Sequence, residues 1–203
     1  MATAPLEPRK APRQARSRHT RDAILTAAGG ILAANGLRGL TTNHVARAAG
    51  VSIGALYQYY PNKQAIIGAL LTQSRADLLA GMEAAAEAVE GEALEVVVCA
   101  MVRARLRQLF EMAALAEALE RAEAELPADP GIARLRTRVQ AQVVGVLAEY
   151  YVDDPETVAR DVLAMAEGMA HAAVRAGEAG FAPLVERIER AVTGYLAGVV
   201  PEA

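Results

Sequence analysis

Tryptophan is absent, phenylalanine occurs twice and cysteine once. The single thiol, Cys99, can form no disulfide within the chain, and a lone thiol suits a reducing compartment. No window holds the 18 or so uncharged apolar residues that a membrane span requires. The opening stretch MATAPLEPRKAPRQARSRHTRD carries positive charge with no apolar run behind it of the signal-peptide kind. These absences point to a cytoplasmic protein that makes no use of a membrane. The three histidines, His19, His44 and His171, lie far apart and lack ligand spacing, so no metal site is expected. There is no glycine-rich phosphate loop and no nucleophile beside a base. That argues against an enzyme: no catalytic residue and no cofactor are expected.

What is present is alanine and aliphatic side chain. Hydrophobic residues make up 53% of the 203, ample for a core, and the alanine-heavy composition favours helix nearly everywhere. The net charge of −3 hides an asymmetry. Through Lys63 there are nine Lys or Arg against Glu7 and Asp22, a net of +7, whereas the remainder holds 12 basic and 22 acidic residues. A basic head on an acidic body is a hint of nucleic-acid binding by the head, although a solvated basic tail would give the same count.

Residues 1–17, with Pro5, Pro8 and Pro12 among basic side chains, bury too little to order themselves and read as a disordered basic arm. Structure is expected from Thr20, a plausible N-cap, with Ile24, Ala28 and Ile31 at helical spacing and a stop at Asn35-Gly36. Thr41 and Thr42 offer the next cap, for a short helix over Asn43–Ala49. Gly50 breaks it, Val51 is an apolar anchor, and Ser52 caps a third helix to about Tyr60. Pro61-Asn62 is a turn, with Asn62 a cap for a long helix that starts near Lys63. Three helices with a short glycine-containing turn between the last two form the helix-turn-helix pattern. Further helices follow at Leu94–Phe110, through Leu119 to Leu126, and over 132–152, 156–177 and 182–199. Asp153-Asp154-Pro155 is a cap-and-N1 start. No strand and no internal repeat are expected. The fold class is all-α: a helix-turn-helix domain over 18–63, with a recognition helix at about 52–60, followed by a larger helical domain over 64–203.

Each position of the turn has a physical reading. Ala46, Ala49 and Gly50 are small so that two helices can approach closely, while Val45, Val51 and Leu56 are apolar pegs onto the first helix. Ser52 leaves the N-terminal amides of the third helix open to a phosphate, and residues 53–59 would then lie in a major groove. The run T-T-x-x-V-A-x-x-A-G-V-S-x-G-x-L-Y-x-Y-Y-x-x-K, from Thr41 to Lys63, together with Ile24-Leu25, Ala27-Ala28 and Gly36, resembles the DNA-binding domain of the TetR family of transcriptional repressors. The resemblance covers Arg21–Lys63; the rest of the chain is similar only in size and helical character.

The resemblance implies a set of DNA contacts. Tyr57 and Lys63 would hold phosphate oxygens. Thr42 and Asn43 would touch the backbone and one base, Ser52 would open the third helix, and Ile53, Gly54, Ala55 and Tyr59 would face bases. Tyr60, where the family usually has Phe, reads as core, and His44 as a surface residue near the backbone. The small residues of the penultimate helix (Ala164, Ala166, Gly168, Ala170, Ala172, Ala173, Ala176) suggest a homodimer through the last two helices, about 156–199. So does the apolar face Leu184, Ile188, Val192, Tyr195 and Val199 of the last one, too long to leave in water on a monomer. A two-fold dimer expects a near-palindromic DNA operator. Met101, Arg105, Phe110, Met165 and Met169, with Met82, Cys99, Met112 and His171, are candidates to line a site for a small apolar effector, although each apolar one taken singly reads as core, and Arg105 and His171 read as salt-bridged or solvent-exposed. The resemblance implies a repressor that a small molecule releases from its operator, by coupling through the long helix from Lys63. A regulator without an effector, or an activator, would share the same motif.

Overall fold

A computed structural model describes residues 15–127, 129–178 and 180–199. Among the described residues there are nine helices and no strand: α1 (Ala15–Gly39), α2 (Thr42–Ala48), α3 (Ile53–Tyr59), α4 (Lys63–Glu87), α5 (Leu94–Glu111), α6 (Ala113–Ala124), α7 (Pro130–Glu149), α8 (Pro155–Arg175) and α9 (Phe181–Leu196). None is long and apolar enough to cross a membrane.

Most of the basic arm expected over residues 1–17 lies outside the described residues; its last three belong to α1. Thr20 is therefore inside the helix and does not cap it. Alanine and arginine before it are good helix formers, and the Ser17 hydroxyl has a partner in Tyr59, 3.0 Å away. At the other end the glycine stop holds: Gly36 has φ 62, a left-handed conformation that breaks the helical geometry inside α1. Among the described residues N-caps recur, each an oxygen accepting from a backbone amide three residues on. They are Thr41 (His44 N, 3.2 Å), Ser52 (Ala55 N, 3.1 Å), Asn62 (Ala65 N, 2.8 Å), Asp129 (Ile132 N, 2.9 Å) and Asp154 (Thr157 N, 3.3 Å). Such a cap contributes ~1 kcal/mol, and in α8 Pro155 follows it at the first helical position.

The chain divides into two compact units. The first takes the residues through Ser74 together with Met112–Ala133. Ile24, Leu25, Ala28, Ile31 and Leu32 of α1 form its spine, and Leu40, Val45, Leu56, Tyr60, Ile66, Ile67 and Leu70 pack with them. Ala118, Leu119 and Ala122 bring α6 into the same core, packed on α1. The unit runs on past residue 63 because Ala65, Ile66, Ile67, Leu70 and Leu71 of α4 pack into the α1 core.

The second unit holds Arg75–Glu111 and the chain from Arg134 onward. Its core joins Met82, Val98, Met101, Val102 and Leu106 with Val143 and Leu147, Val158, Val162, Ala166 and Ala170, and Leu184, Ile188, Val192 and Leu196. The apolar face of the last helix, expected to need a second chain, is covered within this unit. α9 packs on both α5 and α8, and Leu184, Ile188 and Val192 are fully buried there. Hydrophobic burial is non-directional, so an amphipathic face can be met by the chain's own helices as well as by a partner's.

Tyr60 is 0% exposed, as its core reading requires. Its hydroxyl and the adjacent Arg21 Nε meet no partner at good hydrogen-bond geometry, although the Arg21 guanidinium lies close enough to interact with the hydroxyl. Burial pushes its pKa up to about 12, with the Arg21 guanidinium pulling the other way. A buried unpaired hydroxyl destabilises by roughly 1–3 kcal/mol. Tyr60→Phe should therefore unfold at higher urea than the wild type. A folded-state pKa above the unfolded one means the unfolded chain ionises first, so wild-type stability should fall between pH 10 and 12 while that of Tyr60→Phe stays flatter. A variant clearly less stable than the wild type at neutral pH would show that the hydroxyl is paired.

Candidate nucleic-acid interface

The turn between α2 and α3 is built by one backbone conformation and three apolar side chains. α2 ends at Ala48, the Gly50 amide bonds the Arg47 carbonyl at 3.2 Å, and the Val51 amide reaches the Ala46 carbonyl at 3.0 Å. This six-to-one closure needs a left-handed residue, and Gly50 supplies it with φ 66. Close helix approach, expected for Gly50, does not explain it: a Cβ there would meet nothing within 4 Å. The dihedral is the reason. Close approach does apply at Ala46, which is buried, and Val45 and Leu56 are the fully buried pegs, with Val51 packed against the same core.

Above this core the expected contact residues gather on one surface. Asn43, Ser52 and Gly54 are exposed, Thr42 and Ala55 half-buried, and Ile53 and Tyr57 stand 39% and 41% exposed. A side chain added at Gly54 would enter open space. The Thr42 and Tyr57 hydroxyls lie 3.2 Å apart, joining the start of α2 to the middle of α3. Two expected residues are placed differently. Tyr59 is half-buried with its hydroxyl on Ser17, and Lys63 is half-buried with Nζ donating to the Leu37 carbonyl at 3.2 Å. His44 is at the surface, its Nδ1 3.2 Å from the Gly39 carbonyl, and Gln58 is exposed. Neither Ser17 nor the Leu37 carbonyl carries any sequence signal, since one lies in a basic polar stretch and the other is backbone.

Residues 24–70 match the family model of the bacterial regulatory proteins, tetR family. These residues are a TetR-family domain. No curated protein matches the chain by sequence, but solved structures match nearly all of it. A protein of unknown function from Rhodococcus sp. RHA1 superposes at a TM-score of 0.78, with 21% identity over 90% of this chain and 96% of its own. The fatty acid degradation regulator FadR from Bacillus halodurans gives 0.72, with 19% identity over 91% and 96%. The TetR-like transcriptional regulator LfrR from Mycobacterium smegmatis, in complex with proflavine, gives 0.64, with 23% identity over 91% and 99%. At such identities the likeness is one of fold, and the fold is that of TetR-family transcriptional regulators.

In the second unit of this TetR fold, the expected effector residues have unequal settings. Met101 is buried core, as is Met82. Phe110, Met165 and Met169 are half-buried against that core, and Phe110 meets Phe181 edge to face at 5.3 Å. Arg105 forms an ion pair with Glu167. Cys99 is half-buried with Sγ 3.7 Å from the Thr193 hydroxyl, and burial raises its pKa. Met112 is 48% exposed, two residues after Phe110 at the N-cap of α6.

The Ser52 cap separates stability from surface chemistry. Ser52→Ala should lower stability by ~1 kcal/mol, and Ser52→Asp, which keeps an accepting oxygen, by only a few tenths. Urea unfolding of the two checks this; equal losses would mean that the cap contributes nothing.

Proposed function

We propose that the protein is a DNA-binding transcriptional regulator of the cytoplasm, a repressor released from a near-palindromic operator by a small-molecule effector. The observation that carries the DNA-binding part is the surface formed by Thr42, Asn43, Ser52, Ile53, Gly54, Ala55 and Tyr57. It leaves large apolar side chains and an open glycine in water, beside hydroxyls already paired in place. Such a surface suits a major groove, where thymine methyls take apolar contact and base edges take an amide. Asn43 is the residue to read an adenine edge, and the Tyr57 hydroxyl to hold a phosphate.

The repressor is proposed to act as a homodimer through α8 and α9. The apolar face of α9 is occupied within the chain, so the support comes from what remains outside. Ala164, Gly168 and Ala172 follow one another at four-residue spacing on the exposed side of α8, and Gly194 of α9 and its C-cap Ala197 are exposed. Small side chains allow close helix approach, and a Cβ at Gly168 would meet nothing within the chain. The effector reading is supported by half-buried Phe110, Met165 and Met169 near the Arg105–Glu167 pair, adaptable apolar side chains beside a charged one. It is also supported by the fold's likeness to a regulator of fatty acid degradation and to one solved with proflavine.

Selection of bound sequences from a random duplex pool tests the DNA reading. The expected result is a near-palindrome with half-sites about one turn apart. Binding should weaken about tenfold in Tyr57→Phe, through loss of one charge-assisted hydrogen bond. It should be abolished in Gly54→Glu, which keeps its thermal midpoint because the new side chain meets only solvent and phosphate. Enrichment of no sequence, or Gly54→Glu binding as well as wild type, would overturn it. Sedimentation tests the dimer: wild type should run at twice the chain mass and Gly168→Arg as a folded monomer.

A further inference from the structure

Arg105 stands where the pattern of α5 asks for an apolar residue. Val98, Met101, Val102, Arg105 and Leu109 recur at helical spacing and share one face. The first three are buried in the core of the second unit, and Leu109 packs against it. A charge in such a stripe is costly unless it is met, and a guanidinium does not escape by losing its proton. Glu167 of α8 meets it, accepting from Nη2 of Arg105. The two partners are not equally committed. The Arg105 side chain is 23% exposed and that of Glu167 40%. The carboxylate can turn out into water at little cost, whereas the guanidinium stays among apolar side chains and needs an anion in its place.

The same core holds a second polar group, and the chain leaves it incomplete. Gln142 of α7 lies in sequence between the buried Val139 and Val143. It donates to the Leu79 carbonyl of α4 at 3.4 Å, while its Oε1 is buried and meets no donor. An unmet acceptor destabilises the folded chain, so a core selected for stability alone would not keep one. One charged group with a displaceable partner and one acceptor without a donor mark this interior as built to take in a polar ligand.

We propose that Arg105 binds the carboxylate of an effector with an apolar body, and that Glu167 gives up its place to it. The exchange is neutral in charge: one carboxylate leaves the guanidinium as another arrives. A neutral ligand would leave the guanidinium unmatched, and a dianion would bring a second charge into apolar surroundings. The planar guanidinium also suits a carboxylate, which it takes through two parallel N–H bonds. The inference rests on the effector reading above and names the class of ligand within it.

An arginine that exchanges anions and a merely structural ion pair predict different binding. The experiment uses full-length wild type, Arg105→Met, Arg105→Lys and Glu167→Gln. The probes are hexanoate, octanoate and decanoate with the matching alcohols, and binding is read by calorimetry. Wild type should hold its best carboxylate about tenfold more tightly than the alcohol of the same length. Glu167→Gln removes the competing anion; it should bind that carboxylate about tenfold more tightly than wild type and the alcohol no better. Arg105→Met should lose the preference for the carboxylate and keep its affinity for the alcohol. Arg105→Lys has the charge without the fork; it should retain part of the preference, and it serves as the test should Arg105→Met fail to fold. Alcohols held as tightly as carboxylates by wild type would overturn the proposal. So would a Glu167→Gln variant that binds no carboxylate or binds it no better than wild type, since a structural pair predicts only a changed thermal midpoint. The same probes are then added to the complex with the selected duplex. Carboxylate binding that leaves this complex intact would sink the effector reading while the anion site stands.

Discussion

α3 is seven residues long, two turns, and a helix of that length does not form on its own in water. One of its side chains is fully buried, Leu56, which inserts beside Val45, Tyr60 and the α1 spine. Everything α3 presents outward depends on that insertion. Removing a buried leucine costs ~2–5 kcal/mol where a whole small domain is stable by ~5–15. Leu56 points in, and Tyr57, one residue on and about 100° further round the helix, stays in water, as does Ile53 in the first turn.

The platform below is α1, and the turn at its end and the turn between α2 and α3 are set by backbone chemistry more than by side-chain packing. Gly36 takes a left-handed conformation at the end of α1 and Gly50 does so between α2 and α3. Neither position has a neighbour that a Cβ would strike. In both cases glycine is required because other residues lose roughly 1–2 kcal/mol in that conformation. Between these fixed points the Thr41 and Ser52 caps orient two short helices, and the Thr42–Tyr57 hydroxyl pair ties their outer faces together.

Much of this was legible in the sequence because it is local. The caps at Thr41, Ser52, Asn62 and Asp154, the stop at Gly36 and the burial of Val45, Leu56 and Tyr60 each follow from a residue type and its immediate neighbours. The misplaced features are long-range. Thr20 was expected to open α1, but the Ser17–Tyr59 contact that accompanies the earlier start spans 42 residues. The acceptor for Lys63 is a carbonyl, which has no letter in a sequence. The apolar face of α9 announced that it would be buried without saying against what; α5 and α8 of the same chain were as good a partner as a second copy. Periodicity specifies that a face must be covered, and topology alone specifies by which element.

The chemistry of the outer face connects to the dimer by magnitude. Ile53, Gly54 and Ala55 offer no hydrogen bond, and of the exposed side chains on α2 and α3 only Asn43 and Gln58 carry an amide. A bidentate amide–adenine pair discriminates by ~1–3 kcal/mol, whereas operator recognition typically demands ~4–10 kcal/mol over nonspecific DNA. One such face falls short even with methyl contacts and groove shape added. Two faces held at a fixed spacing roughly double the discrimination and exclude sites with the wrong half-site separation. If this surface contacts DNA as proposed, its lack of donors would make pairing matter more for specificity than it would for a surface rich in arginine. By the same reasoning, an effector that altered the spacing by a small fraction of a helical turn would remove most of the discrimination without touching either face.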